Sequence, residues 1–293
     1  MQAKFSVIIP TYNRAGQLKT CLESLEAQTF RDFEILVCDD GSLDDSAAVV
    51  EAFKATTTLP VQYFFNENWG GPAYPRNVGI AHSQAPWLCF LDSDDYWYPE
   101  KLAECNAFTQ QYDFICHEVD IIGRRPPRNR IRTFAFGTKV FYNLMTRGNS
   151  IITSSVCVKK EIILSLGGFS EDKMMIAVED FDLWLRIARA AYQFKVIHRS
   201  LGAYWEGGGN ISTASDKQLK RLENIYNRYL PYLADTPRAL HRATAVLRYL
   251  QGWMYLRLGD RKAAWTAFRV AVRWGVTDIK LKGLYQMMKA ILT

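Results

Sequence analysis

Two continuous apolar runs, "FSVIIP" at residues 5–10 and "FEILVC" at residues 33–38, constrain the fold more than any other feature of the chain. A strand with one wet face alternates polar and apolar residues. A run without alternation suits a strand covered on both faces, as in a parallel sheet. Between the runs, Leu18, Cys21, Leu22 and Leu25 recur at helical spacing. "DDSAAVVEAF" predicts a second helix with Asp45 or Ser46 as its cap, and "VQYFF" and "WLCFL" predict two further strands. This βαβα order predicts an α/β fold with an open, doubly wound and mostly parallel sheet, whose ligands lie beyond the carboxyl ends of the strands. Each conspicuous polar word follows a strand: "TYNR", "DDGS" and "DSDD".

The 293 residues suffice for one large domain, or one with an appendage. No apolar run reaches the ~18 residues of a spanning helix. The opening "MQAKFSVIIP" reads as a first strand rather than a signal peptide, because its apolar stretch is short and ends at Pro10. The six cysteines (21, 38, 89, 105, 116 and 157) form no C-x-x-C pair and fall largely in apolar runs. That predicts small buried side chains, a reducing compartment and no zinc.

Charge is divided unevenly along the chain. Of 36 Lys+Arg and 30 Asp+Glu, residues 216–293 hold 15 and 5, net +10, and residues 1–215 the other 21 and 25, net −4. The tail also reads as helical, and "YLRLGDRKAAWTAFRVAVRWG" predicts a hairpin of two helices turning at Gly259 and Asp260, like one tetratricopeptide-type unit. The expected domains are therefore 1–215, which carries the strand-end polar words, and 216–293, a basic helical extension.

The chemistry concentrates in "FLDSDDYW". Asp92 and Asp94 alternate, so on an extended segment both point the same way. Hard oxygen donors of this kind suit Mg²⁺ or Mn²⁺, with substrate phosphates supplying further ligands. The same turn equally suits the cap of a helix beginning in "YWYPEKL". "VCDDGS" has a similar double reading, because Gly41 permits positive φ and Asp39 and Asp40 can bond local backbone.

Five words in order, "VIIPTYNR", "VCDDGSLDDS", "NENWGGPAYPRNVGIA", "LDSDD" and "AVEDFDLWLRIARA", make the chain resemble family 2 of the glycosyltransferases over most of residues 4–212. The resemblance implies the Rossmann-like GT-A fold and inverting transfer from a nucleotide diphosphate sugar, a UDP-sugar by preference, to a hydroxyl of a glycan or lipid-linked acceptor. It implies that Pro10, Tyr12 and Arg14 line the nucleotide pocket, with Asp39 or, preferably, Asp40 accepting from the base imide N–H. Arg76 is implied at the diphosphate or nearby carboxylates, Asp92 at the ribose or metal, and Asp94 on the metal with Asp95 in support. Asp180 is implied as the general base and Glu179 as an acceptor-orienting residue, although acidic residues at a helix start also complement the helix dipole. Ser154 and Ser155 are read as strand-surface hydroxyls or as contacts to substrate. One departure concerns the His that many relatives carry near the final metal-side word. In "YWEGGGNIS" Gly207 occupies that place, which leaves the third ligand open among Glu206, His198 and water.

Arg124, Arg125, Arg128, Arg130 and Arg132 form a Pro-broken basic loop suited to an anionic acceptor or simply to solvent. In the tail, basic residues alternate with Trp253, Tyr255, Leu256, Trp265, Phe268 and Trp274. This suits a core between helices, or peripheral contact with an anionic membrane at the cytoplasmic face. Nucleic acid is disfavoured, since charge is its one argument. A nucleotidyltransferase would share the sheet, but "IPTYNRAGQ" lacks a Gly-rich, Lys-bearing phosphate loop. A dehydrogenase lacks its G-x-G-x-x-G. A scaffold with a vestigial donor pocket conflicts with the intact acidic words. Oligomeric state is left open.

Overall fold

A computed structural model describes residues 3–123, 130–207 and 213–292. The chain divides into two units, residues 1–135, 150–171 and 186–208, and residues 136–149, 172–185 and 209–293. Arg124, Arg125 and Arg128 lie outside the described residues.

The first unit is built on an eight-stranded sheet of β1 (Phe5–Thr11), β2 (Phe33–Asp39), β3 (Val61–Phe65), β4 (Trp87–Phe90), β5 (Tyr96–Trp97), β6 (Phe114–Ile122), β7 (Cys157–Lys159) and β8 (Phe194–Trp205). The spatial order is β3-β2-β1-β4-β7-β6-β8-β5. β1, β2, β3 and β4 pair in parallel, β7 runs antiparallel to β4 and β6, and β5 antiparallel to β8. The expected α/β architecture is thus present as a mixed sheet. Every residue of β1 and of β2 is buried, as their unbroken apolar runs require. Val7, Ile9, Ile35 and Val37 share one core with Leu18, Cys21, Leu22 and Leu25 of the helix Ala15–Glu26. Each such side chain contributes about 1.5–3 kcal/mol on burial. On the other face the helix Ala73–His82 approaches so closely that a Cβ on Gly79 would stand 2.5 Å from Ile8 Cγ2.

Register places the polar words together. Thr11 is the partner of Asp39, and Ile8 of Phe90. The residues following β1, β2 and β4 therefore emerge along one sheet edge. Asp45 stands at the N-cap of the helix Ser46–Lys54, as one of the two expected caps, but its side chain makes no cap bond; the Ser46 N–H donates instead to Asp44 Oδ1 at 3.1 Å.

The second unit is helical. It holds the helices Val140–Arg147, Asp216–Tyr229, Pro237–Arg257, Arg261–Trp274 and Thr277–Leu292. The hairpin turn falls where the sequence puts it: Gly259 has φ +85, and Asp260 caps the next helix by accepting from the Ala263 N–H at 2.9 Å. Phe268 packs flat against the preceding helix, where a Cβ on Gly252 would meet its ring at 2.7 Å. The tail aromatics divide: Phe268 is buried, whereas Trp265 and Trp274 are exposed. Among the described residues no helix is long and apolar enough to cross a membrane.

Candidate functional site

The acidic word follows β4 in a tight turn closed by the Asp95 N–H donating to the Asp92 carbonyl at 2.9 Å. Its three carboxylates take different partners. Asp92 Oδ1 accepts from Arg76 Nη2 at 2.6 Å, and Asp94 Oδ2 faces Arg14 Nη1 at 3.0 Å. Asp95 is buried, accepting from the Ser154 hydroxyl at 2.5 Å and from the Trp205 N–H at 2.8 Å. Asp95 is thus a brace inside the fold, and Asp92 and Asp94 are the outward pair.

Both cations are positioned by the sheet edge. Arg14 follows β1, and the turn before it puts Asn13 at φ +50, its Oδ1 accepting from the Leu43 N–H at 2.7 Å. Arg76 rises from the helix Ala73–His82, is 2% exposed, and lies 5.1 Å from the centroid of the Phe169 ring. Phe169 is itself fixed by the turn at Gly167 and Gly168, both at positive φ, whose neighbourhood Arg186 ties down by donating to the Leu166 and Gly168 carbonyls. This tight turn with its buried aromatic anchor supports Arg76 from below.

Burial, and then the adjacent charge of Asp92, push the Asp94 carboxyl above its usual range. Burial followed by the charges of Asp92 and Asp94 raises Asp95 strongly. Tyr204 is drawn into the same field, raised by burial and then by Asp95, Asp92 and Asp94. Such mutual repulsion is relieved by a cation. Two outward carboxylates suit Mg²⁺ or Mn²⁺, ions that keep waters and substrate phosphates as their other ligands. An all-protein cage is a different matter: among the described residues no three His, Cys, Asp or Glu side chains converge on one point.

The nucleotide-side residues are distributed as follows. Pro10 is buried inside β1, opposite Cys38, whereas Tyr12 is 46% exposed. Asp39 is buried and accepts from the Ser42 N–H at 2.7 Å and the Tyr63 hydroxyl at 2.7 Å. Asp40 gathers the loop after β3, accepting from the N–H groups of Trp69 (2.8 Å), Gly70 (3.0 Å) and Gly71 (3.3 Å). Gly41 is required in this turn, since at φ +83 a Cβ would stand 2.9 Å from Asn68 N.

A match to the profile of Glycosyl transferase family 2 spans residues 6–160, more than half of the chain. The chain belongs to glycosyl transferase family 2. A second profile, Glycosyl transferase family group 2, matches residues 87–280. The Escherichia coli protein UDP-Glc:alpha-D-GlcNAc-diphosphoundecaprenol beta-1,3-glucosyltransferase WfaP is 25% identical over 228 residues, 75% of this chain and 84% of that one. The Staphylococcus aureus poly(ribitol-phosphate) beta-N-acetylglucosaminyltransferase TarS is 39% identical over 111 residues, 37% of this chain. The chain spans 19% of TarS and 18% of a Rickettsia felis glycosyltransferase, under a fifth of these relatives. In fold it is similar to S. aureus TarS residues 1–349 in complex with UDP-GlcNAc (TM-score 0.60, 20% identity, 92% of this chain and 90% of that one). It is also similar to the Pyrobaculum calidifontis mannosyltransferase PcManGT in complex with GDP-Man and Mn²⁺ (TM-score 0.62, 18% identity, 99% and 81%).

The family-2 chain holds two residues at this site that sequence reasoning undervalued. Ser154, expected on a strand surface, sits buried in the 3-10 turn Thr153–Ser155. There its oxygen accepts from the Asp92 N–H at 3.1 Å while its proton goes to Asp95. Trp205 contributes through its backbone, which no side-chain motif can announce. At the end of β8, a side chain on Gly207 would meet the Trp205 indole at 2.4 Å, so this packing leaves no room for the His expected there. His198 is engaged elsewhere, 3.4 Å from Glu118 Oε1, and Glu118 and Asp120 also hold Arg130.

Glu179 and Asp180 belong to the second unit, at the start of the helix Glu179–Arg189. Glu179 is buried. Asp180 Oδ1 accepts from the Phe181 N–H at 2.6 Å, and its side chain helps line a cleft of about 290 Å³ with Arg147, Asn149, Tyr226, Val246 and Lys282. Asp182, two residues on and so on the opposite side of the helix, is buried and held by the Tyr229 hydroxyl at 2.8 Å and Arg228 at 3.2 Å. Of the acidic word "EDFD", Asp182 is therefore committed to structure.

Proposed function

We propose that this chain is a metal-dependent inverting glycosyltransferase that moves a sugar from a UDP-sugar to a hydroxyl of a glycan or lipid-linked acceptor. One observation carries the reading: two outward carboxylates at the tip of β4, each with an arginine at 2.6 or 3.0 Å, in a chain of glycosyl transferase family 2. The names of WfaP and of the TarS complex, both with UDP-linked donors, support the choice of UDP. The Mn²⁺ complex of PcManGT supports a divalent ion.

In this reading Asp94 would hold the ion, with Asp92 turned to the ribose or to the same ion, and the ion would supply Lewis-acid stabilisation of the charge on the diphosphate leaving group. Arg14 and Arg76 supply fixed positive charge beside those carboxylates and donate to phosphate oxygens when the donor enters. Asp40 Oδ1 accepts one N–H, from Trp69, and keeps acceptor capacity for the base imide N–H. Asp180 removes the acceptor hydroxyl proton as the acceptor oxygen bonds to the anomeric carbon and the bond from that carbon to the diphosphate oxygen breaks. Attack opposite the leaving group inverts the centre. Glu179 orients the acceptor. A lipid-linked acceptor would place the reaction at the inner face of a membrane, and a free glycan acceptor in the cytoplasm.

A panel of nucleotide sugars read by thermal shift tests the donor. One responder is expected with Mn²⁺, stabilised by about 2.7 kcal/mol at a hundred times its dissociation constant. Equal shifts in the presence of chelator would remove the metal from the reading. Asp180→Asn is expected to keep the donor-induced shift and lose turnover, and normal turnover in that variant would remove Asp180 from the mechanism.

A further inference from the structure

The second unit carries a surface that sugar transfer leaves unused. Its last helix, Thr277–Leu292, turns Ile279 and Gly283 inward: Ile279 is 2% exposed, and a Cβ on Gly283 would meet Val272 Cγ2 at 3.1 Å. At 3.6 residues per turn the opposite face is Leu281, Leu284, Tyr285 and Met288, spaced i, i+3, i+4 and i+7. These four are 61, 44, 59 and 57% exposed. The helix is therefore amphipathic in the outward sense, with a stripe of large apolar groups facing water and Lys280, Lys282 and Lys289 on its other exposed positions. Contiguous exposed apolar groups on a helix rimmed by basic residues call for a second apolar surface.

A cationic cleft begins on the same helix. Lys280 lines it together with Arg238, His241, Arg242, Arg273 and Trp274, in a volume of about 330 Å³, and no carboxylate lines it. The His241 ring stacks on Trp274 with centroids 4.3 Å apart, and Arg273 lies 4.8 Å from the centroid of the same indole. Arg242 donates to the Tyr142 hydroxyl at 3.0 Å. Among the described residues Arg238, Arg273 and Lys280 form no ion pair. Guanidinium forks and an ammonium without carboxylates of their own match phosphate oxygens.

We infer that this face of the second unit docks on an anionic lipid bilayer. Headgroup phosphates enter the cleft of Arg238, Arg273 and Lys280, and Leu281, Leu284, Tyr285 and Met288 sink into the boundary with the acyl chains. The apolar stripe is what selects the occupant. A free phosphate gains nothing from it, whereas a bilayer interface offers anionic headgroups and hydrocarbon side by side, and interfacial helices with basic flanks exploit both. A second copy of the chain is a poorer partner, because a twofold interface sets the same cationic patch against itself. The net +10 of residues 216–293 acts in the same direction.

The full chain is to be sedimented with vesicles of phosphatidylcholine alone and of phosphatidylcholine with about a third phosphatidylglycerol, across a range of salt. Binding is expected for the anionic vesicles only, weakening as salt rises. Arg238→Glu with Arg273→Glu, and separately Leu281→Glu with Leu284→Glu, are each expected to weaken partitioning by about tenfold or more. All four positions are outside the donor site, so melting temperature and the donor-induced shift should be unchanged in both variants. Equal binding to neutral vesicles, or no binding to either, overturns the inference. A concentration-dependent dimer that the leucine variant abolishes also overturns it. Vesicle binding that survives the leucine substitutions while inorganic phosphate competes for the cleft would make this a soluble-anion site, again against docking. The transfer reading stands apart from this one: a chain that turns over donor yet ignores vesicles sinks the docking alone.

Discussion

The tip of β4 and the face of the last helix treat charge in opposite ways. In the first unit, carboxylates and cations are matched at close range: Asp92 with Arg76, Asp94 with Arg14, and buried Asp95 with two hydrogen-bond donors. In the second, Arg238, Arg273 and Lys280 share a cleft that no carboxylate enters. Matched charges are what a fold needs to bury polar groups, because an uncompensated interior charge costs several kcal/mol. Unmatched cations survive only where water, or an anionic partner, supplies the compensation. The contrast separates charge that builds a site from charge that waits for something outside the chain.

The largest expected effect tests the matched pair. Asp94→Asn keeps the side-chain shape and removes the charge, so it should lower turnover about a hundredfold or more while leaving the fold intact. Steady-state rates with saturating donor and Mn²⁺ check this, and a rate within twofold of wild type would strike Asp94 from the site. Next comes Lys101, wholly buried in the first unit with its ammonium 3.0 Å from Cys157 Sγ and 3.5 Å from the centroid of the Trp97 ring. Burial alone pulls that ammonium down, but Cys157, Cys89 and Cys105 more than restore it. Lys101→Ala removes a wholly buried side chain together with its contacts to Cys157 and Trp97, and is expected to cost about 2–5 kcal/mol in urea unfolding. A loss under about 1 kcal/mol would mean that the interior closes over the missing ammonium without it.

His117 gives the comparison a pH axis. Burial, and then the Lys101 charge, lower its pKa to about 3, and its Nδ1 proton goes to the Glu118 carbonyl at 2.7 Å. In the unfolded chain the same ring titrates near its ordinary value of about 6.5. The unfolded state therefore takes up the proton first. His117 stabilises the fold fully above about pH 6.5, and that stability is lost as pH falls toward 3, by about 1.4 kcal/mol per pH unit. His117→Asn should flatten the acid limb of a stability-against-pH curve, and an unchanged slope would assign acid sensitivity to other groups. In the second unit the effects shrink. Ser215→Ala removes the cap of the helix Asp216–Tyr229, whose Gln218 N–H it accepts at 3.1 Å, for about 1 kcal/mol. Arg238→Gln with Arg273→Gln should move the melting free energy by no more than about 0.5 kcal/mol, as surface changes without matched partners do. A loss of several kcal/mol there would show that the cleft is internally compensated after all.

Much of the first unit was legible because its signals are local. A short apolar run rich in β-branched residues suits a strand covered twice, and β1 and β2 appear where "FSVIIP" and "FEILVC" place them. Gly259 and Asp260 turn and cap a helical hairpin through residues adjacent in sequence. The roles of the acidic residues were legible only as a set. "DSDD" says that carboxylates gather, but not that Asp95 turns inward to Ser154 and Trp205, 59 and 110 positions away. "EDFD" likewise hides the commitment of Asp182 to Tyr229 and Arg228. The outward apolar stripe on the last helix has the same spacing as a buried one, and periodicity alone cannot tell which side faces water.

What the sequence determined by itself is the kind of sheet, the strand ends at which chemistry collects and the sign of each region's charge. Those follow from side-chain period and composition, which are properties of neighbours along the chain. Which carboxylate braces and which faces out, which aromatic is core and which is exposed, and why Gly207 has no room for a side chain were decided only in three dimensions. Each depends on atoms that meet through folding from distant positions, and their desolvation, not their identity, sets what they do.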